Sequence, residues 1–289
     1  MDLAANLPVS PPTVPLPKGA WDCHAHVFGP FDRFPLHPKA PYPPPLATRQ
    51  DYMAMLDKVG FAHGVLVHPS ANGYDNATTA DAVLAAPDRL VGVAVVAEDA
   101  TDAQLASLHG QGFSGIRFTE NGHPHSEGTL PLARLGDFRG RLAANGWHAQ
   151  IWAKCSEILK QADLFASRTT PAILDHMGFF QKGGTVDDAE FRDLIALLRN
   201  SAIWVKLTPH RVSDRFPDCA DVRAQHDAIV EAIPDRIVWG SDWPFIGMHG
   251  QSPDVGRQVD LFDQWIAGDA TLRQKVMVDN PARFYRSRA

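Results

Sequence analysis

The stretch Trp21-Asp22-Cys23-His24-Ala25-His26-Val27-Phe28 (WDCHAHVF, 21–28) and its distant counterpart RIVWGSDWP (236–244) decide how the chain is read. The first is a short apolar run carrying two histidines two positions apart. Side chains at i and i+2 of a strand share a face, so the His24 and His26 imidazoles converge. The second run delivers Asp242 just past its own end. In a closed barrel the last strand lies beside the first, and Asp242 then approaches His24 and His26 despite their separation in sequence.

Similar runs lie between these two: HGVLVH (63–68), LVGVAVV (90–96), SGIRF (114–118), WHAQIWA (147–153), PAILDH (171–176) and AIWVKL (202–207). Short and rich in Val, Ile, Phe and Trp, they match parallel strands buried on both faces. Helical spacing separates them. Residues 48–60 place Tyr52, Met55, Leu56 and Val59 on one side and close with Gly60, a helix stop. Residues 76–87 start at Asn76, an N-cap type. Residues 187–200 and 222–234 repeat the pattern. Strand–helix alternation repeated about eight times predicts an α/β fold, a TIM-type (β/α)8 barrel whose active site lies where the strands end. A doubly wound open sheet is the alternative, but it does not bring Asp242 to His24. Residues 21–289 read as one barrel domain. Residues 1–20, Pro-rich, read as an extended arm or a disordered tail. The segment FPLHPKAPYPPP (34–45) is long for a strand-to-helix connection and is placed to cover the site.

The 289 residues are 45% hydrophobic and 21% charged, with a net charge of −6. No basic excess is available to neutralise phosphates, so nucleic acid is not expected as a partner. An anionic substrate would need local positive charge. Three scattered cysteines without a CxxC pair fit a reducing compartment. Neither a secretory leader nor a membrane-spanning apolar run is evident, so a cytoplasmic location is expected. No Gly-rich nucleotide-binding motif occurs.

Further residues fall into place around this frame. His176 ends the run PAILDH, with Asp175 expected to point the opposite way. His148 sits at the start of the fifth strand, the wrong end for chemistry, and Trp152 and Lys154 stand at its end. Cys23, between Asp22 and His24, is expected to face the helices as an inert thiol. Trp243 and Phe245 either line the pocket or pack in the core. His123 and His125 lie in a polar loop and read as surface or lid residues.

WDCHAH, LDHMG and WGSDWP together, in this order, resemble the strand ends of the amidohydrolase superfamily. DCHAHVFGP (22–30), VHPSANGYDN (67–76), GIRF (115–118) and KLTPHRVSD (206–214) are similar to its 2-pyrone-4,6-dicarboxylate lactonase-like group. The likeness covers most of 21–285. It implies a hydrolase opening a small carboxylated lactone without a metal: Asp242 as general base, and His24, His26 and His176 polarising the carbonyl, at least one of them protonated. It also implies substrate binding by Arg117, Arg211 and Ser70, to which position adds Lys154 and Trp152. Arginine suits a carboxylate's planar fork. Many members of the superfamily bind metal. If one is present here, His24, His26, His176 and Asp242 would hold it, and a Zn-dependent decarboxylase or hydrolase of the aminocarboxymuconate-semialdehyde decarboxylase type is the alternative. A protonated Lys154 at the end of strand five speaks against a divalent ion. The loop FTENGHPHSEG lacks an arginine that the lactonase group carries, and Trp152 replaces a tyrosine. Both changes remove partners of a second carboxylate, so a related lactone or a monocarboxylate fits as well as the pyrone dicarboxylate.

Overall fold

A computed structural model describes residues 7–120, 128–165, 170–248, 251 and 253–285. Eight parallel strands follow one another around the sheet in sequence order. They are β1 (Trp21–Ala25), β2 (His63–Val67), β3 (Leu90–Ala94), β4 (Phe113–Thr119), β5 (His148–Trp152), β6 (Ala172–Leu174), β7 (Trp204–Leu207) and β8 (Ile237–Trp239). Helices alternate with them: α1 (Arg49–Val59), α2 (Ala77–Ala85), α3 (Asp102–Gly110), α4 (Leu135–Ala144), α5 (Cys155–Lys160), α6 (Ala189–Asn200), α7 (Arg223–Ala232) and α8 (Val255–Trp265). Two short helices, α9 (Ala270–Gln274) and α10 (Asn280–Tyr285), end the described chain. This is the expected TIM-type barrel.

Local chemistry sets the boundaries. Thr48 and Asp51 form a reciprocal capping box at the start of α1, and Gly60 ends it at φ 101°. Asn76 behaves differently from its expected capping role. It makes no side-chain cap on α2 and instead ties the backbones of Tyr74 and Val95 together. Residues 7–20 are an arm bound to the barrel rather than a disordered tail. Ser10 bonds the Asp254 carboxylate at the head of α8, Thr13 bonds Asp260, and Arg273 donates to the Val14 and Pro15 carbonyls.

Closure between β8 and β1 is made just beyond their ends. The Asp242 amide donates to the His24 carbonyl and the His26 amide to the Trp243 carbonyl, each at 2.8 Å. Asp22 reinforces the seam from the helix side. Its carboxylate accepts from the Ser241 amide and hydroxyl, both at 2.7 Å, and from the Tyr52 hydroxyl at 3.1 Å. Burial pushes the Asp22 carboxyl up to about 6, against those hydrogen bonds. Gly240 lets the strands approach: a Cβ there would sit 2.8 Å from the His24 Cβ.

The β1–β2 register shifts between Asp22 and Ala25. This irregularity corrects the expectation for Cys23. Its thiol packs in the same buried cluster as Trp21, Val65, Val67, Val91 and Val93, inside the barrel. Strict alternation would have sent it toward the helices; the shift lets Cys23 and His24 both face inward.

Candidate active site

At the C-terminal ends of the strands lies a cavity of about 280 Å³. His26, Ser70, Arg117, Trp152, His176, Arg211 and Asp242 all line it. Each comes from the end of a strand or the connection after it, so the barrel assembles in space what the sequence spreads over the whole chain. Pro41 and Tyr42 of the Pro-rich connection form part of its wall, with Thr119, Gly128 and Thr129. Tyr42 is hydrogen-bonded to Ser70, and burial raises its phenol above the usual range.

Asp242 is the hub. Its Oδ1 stands 3.5 Å from His24 Nε2 and 3.4 Å from His26 Nε2. The other oxygen accepts from Arg211 Nε, whose Nη1 also donates to the Ile246 carbonyl at 2.5 Å. Asp242 adopts φ 55° and His176 φ 50°, left-handed backbone that non-glycine residues rarely occupy. Burial alone would raise the Asp242 pKa. Arg211, His176, His26 and His24 overcome that and hold it well below the usual carboxylate range. It is therefore ionised at neutral pH.

The histidines are held differently. His26 Nδ1 lies 2.7 Å from the Val67 carbonyl, an acceptor only, so Nδ1 carries a proton. His176 Nδ1 lies 2.8 Å from the Thr208 hydroxyl. Burial first, then Lys206, lowers His24 to about 4. Burial also drives His176 well below its ordinary value. Both imidazoles are thus neutral at pH 7. At these two, desolvation outweighs the attraction of the nearby carboxylates. His210 reaches to within 3.9 Å of Asp242 Oδ2 and is lowered to about 3, chiefly by burial and then by Arg211.

Beneath this layer is a second, fully buried network that the sequence reading missed. Asp175 does not point away from the site. Ile173 faces the barrel interior and Leu174 the helices, so Asp175, still extended, continues the inward alternation, and the left-handed turn at His176 is what turns that imidazole to the same side. Asp175 Oδ1 therefore lies 3.3 Å from His24 Nδ1 and 3.5 Å from Lys206 Nζ. Its Oδ2 lies 3.1 Å from Gln150 Nε2 and 3.4 Å from Arg117 Nη2. Burial would raise the Asp175 pKa, but the neighbouring cations Lys206 and Arg117 hold it well below its ordinary value. The signal for Lys206 was available: a charged residue inside the apolar run AIWVKL. No comparable signal marked Asp175, Gln150 or Thr119.

Other expected residues fall elsewhere. Lys154 is the N-cap of α5; its side chain is 72% exposed, faces Glu120 at 3.9 Å and does not line the cavity. Trp152 does line it, with the Arg117 guanidinium 5.3 Å from its ring centre. His148 begins β5 and packs on Phe284 and Tyr285, at the opposite end of the barrel. Trp243 is core, packed on Tyr52, and Phe245 packs on His210. His123 and His125 lie outside the described residues.

The donor set can be tested against a metal ion. His24 Nε2, His26 Nε2 and Asp242 Oδ1 are spaced as three ligands of a small divalent ion would be, leaving a position for water. The His26 Nδ1–H bound to a carbonyl is also how metal-ligating histidines are often oriented. His176 groups instead with His24 and Asp175. Electrostatics pull the other way. Among the described residues, Lys206, Arg117 and Arg211 outnumber the two carboxylates, Asp175 and Asp242, around the same centre.

Comparison with known proteins agrees with the geometry. The amidohydrolase family model matches residues 21–287. A 4-sulfomuconolactone hydrolase from Rhizobium radiobacter is 36% identical over 96% of this chain and 93% of its own length. A 2-pyrone-4,6-dicarboxylate hydrolase from Comamonas testosteroni is also 36% identical, over the same shares. Among solved structures, a probable 2-pyrone-4,6-dicarboxylic acid hydrolase from Acinetobacter baumannii, with citric acid bound, superposes with a TM-score of 0.81 at 25% identity, covering 93% of this chain and 99% of that one. Barrel closure, the histidine pair beside Asp242, and a family match over nearly the whole length lead to one statement: the chain belongs to the amidohydrolase family.

Proposed function

We propose that this chain is a metal-independent hydrolase that opens a small carboxylated lactone. The observation that carries the reading is the meeting of an ionised Asp242 with the His24 and His26 imidazoles, in a cavity whose wall holds two arginines. The names of the relatives point to lactones bearing anionic groups, which is the chemistry such a cavity suits.

The reaction can be written with the chain's own groups. Arg117 and Arg211 receive substrate carboxylate, and Tyr42 and Ser70 supply hydroxyls from the same cavity wall. Trp152 offers a flat apolar face to a planar ring. Water seated on Asp242 gives up its proton to the carboxylate as its oxygen attacks the lactone carbonyl carbon. Ring N–H groups of the histidines stabilise the oxyanion. Collapse of the tetrahedral species breaks the ring C–O bond, and Asp242 returns the proton to the leaving oxygen. One water is consumed, and one hydroxyl, one carboxylate and one proton, shed as the new carboxyl group ionises, are produced.

The spacing of His24, His26 and Asp242 favours a second reading, a Zn-dependent hydrolase or decarboxylase. Zinc held there would supply a Lewis acid and a more acidic water. The excess of buried positive charge supports the metal-free reading instead, since a divalent ion would add to it. A screen of lactones with one or two carboxylates, read by acid release in the presence and absence of chelator, tests both. Turnover unchanged by exhaustive chelation is expected. Activity that is lost with the metal and restored by zinc reverses the choice, and no turnover of any lactone sinks the hydrolase reading.

A further inference from the structure

Lys206 is the single charged residue of the run AIWVKL and is fully buried on β7. Its Nζ lies 2.7 Å from Gln150 Oε1, 3.3 Å from His24 Nδ1 and 3.5 Å from Asp175 Oδ1. An ammonium has three N–H donors and no acceptor, and three acceptors surround it. Gln150 is fixed in this orientation because its amide donates to Asp175 Oδ2 at 3.1 Å. The mechanism above uses none of these three groups, yet together they grip the far side of His24.

His24 has three ways to hold its protons. The doubly protonated ring would place a second cation against Lys206, with both side chains fully buried. The form with its proton on Nδ1 would bring that proton within 3.3 Å of Asp175 Oδ1 but also against the Lys206 hydrogens, and would turn the Nε2 lone pair toward the Asp242 carboxylate 3.5 Å away. In the form with its proton on Nε2, Nδ1 accepts from Lys206 and Nε2–H faces Asp242, so both contacts are attractive. The Nδ1 lone pair then lies 3.3 Å from Asp175 Oδ1, a repulsion that Lys206, within reach of both, offsets. Gln150, which could compete for Nδ1, is engaged with Lys206 and Asp175.

We propose that Lys206 is a positioning residue that fixes His24 as the neutral Nε2–H tautomer. His24 therefore presents a hydrogen-bond donor, not a lone pair, to the reacting centre, where it can steer Asp242 and stabilise the oxyanion. The inference rests on the metal-free reading of the site, because a nitrogen that carries a proton cannot at the same time ligate a metal.

Nitrogen-15 NMR of the histidine side chains in the whole, ligand-free protein separates protonated from bare ring nitrogens. His24 is assigned by the signals lost in His24→Gln. In the wild type, at neutral pH, Nε2 is expected to be protonated and Nδ1 bare. Lys206→Met should move the proton to Nδ1, toward Asp175. It should also lower kcat for lactone opening about 10²-fold, with KM within about threefold, as loss of one oriented donor does. Protonation of Nδ1 in the wild type, alone or with Nε2, overturns the proposal. So does a Lys206→Met spectrum with Nε2 still protonated. The wild-type spectrum carries the test even if Lys206→Met fails to fold. Because that spectrum is read without substrate, its failure leaves the lactonase reading standing. A screen that opens no lactone sinks that reading without moving the His24 protons.

Discussion

The two ends of the barrel interior obey different rules. At the N-terminal end the space is filled by Trp21, Val65, Val91, Ile173, Trp204 and Val238, and plugged by Phe284 and Tyr285 of α10. Tyr285 stacks on Trp21 at 5.9 Å and Phe284 packs against Trp204 at 4.8 Å. At the C-terminal end the interior holds His24, His26, Arg117, Gln150, Asp175, His176, Lys206 and Asp242, all buried. Polar and charged groups are costly to bury unless each is paired, and here they pair with one another and with Val67, Thr208 and Arg211. The apolar end contributes stability through burial; the polar end spends some of it to hold groups in fixed orientations. Mutations at the two ends should therefore report on different quantities.

The largest effect is expected at the polar end. Asp242→Asn should lower kcat/KM for lactone opening about 10³-fold, the worth of a general base, while circular dichroism shows a folded protein; retention of activity would break the assignment of the base. Phe284→Ala, at the other end, should cost about 3–5 kcal/mol of stability, read as a drop in Tm of the order of 10 °C. Its kcat/KM should stay within about twofold of the wild type, because the base of such a barrel is a place of stability rather than chemistry. A large activity loss there would show that the ends are coupled. Arg117→Met should raise KM roughly 10- to 100-fold for carboxylated lactones, and much less for lactones without a carboxylate.

Acid should weaken the polar end selectively. Burial lowers His68 and His210 to about 3. The unfolded chain takes up these protons near pH 6.5 and the folded chain does not, so their contribution is lost as pH falls from 6.5. Asp22, raised to about 6, acts in the opposite sense between about pH 4 and 6, since there the folded state binds the extra proton. His24, lowered to about 4, and His176, also driven down by burial, act in the same sense as His68 and His210, so four imidazoles oppose one carboxyl and stability falls on acidification in that window, measurable by denaturant unfolding. Stability that rises on acidification would contradict the neutral state of these histidines. The smallest effect is expected for Lys154→Ala. An exposed lysine 3.9 Å from Glu120 contributes less than about 0.5 kcal/mol, and KM should be unchanged.

Most of the frame was legible in the sequence because it rests on local rules. Apolar runs with the strand period, Thr48 and Gly60 at the ends of α1, and the two-residue spacing of His24 and His26 each act over a few residues. The placement of Asp242 beside the histidine pair also followed, once eight units implied closure. Errors arose where one of these rules was interrupted. The register shift in β1 turned Cys23 inward. The left-handed turn at His176 let that imidazole face the same side as Asp175, which keeps the inward alternation of Ile173. Lys154 was placed by counting along β5, but that strand ends at Trp152 and the chain turns outward into α5.

By itself, then, the sequence determined the alternation of strands and helices, the order of the catalytic candidates along the chain, and the strand ends on which they sit, since periodicity and capping are properties of neighbouring residues. Tertiary structure alone decided which lysine is buried, which carboxylate each arginine meets, and which imidazoles lose their charge. Those outcomes depend on distances between residues far apart in the chain and on the removal of water from around them, and neither quantity exists until the barrel closes.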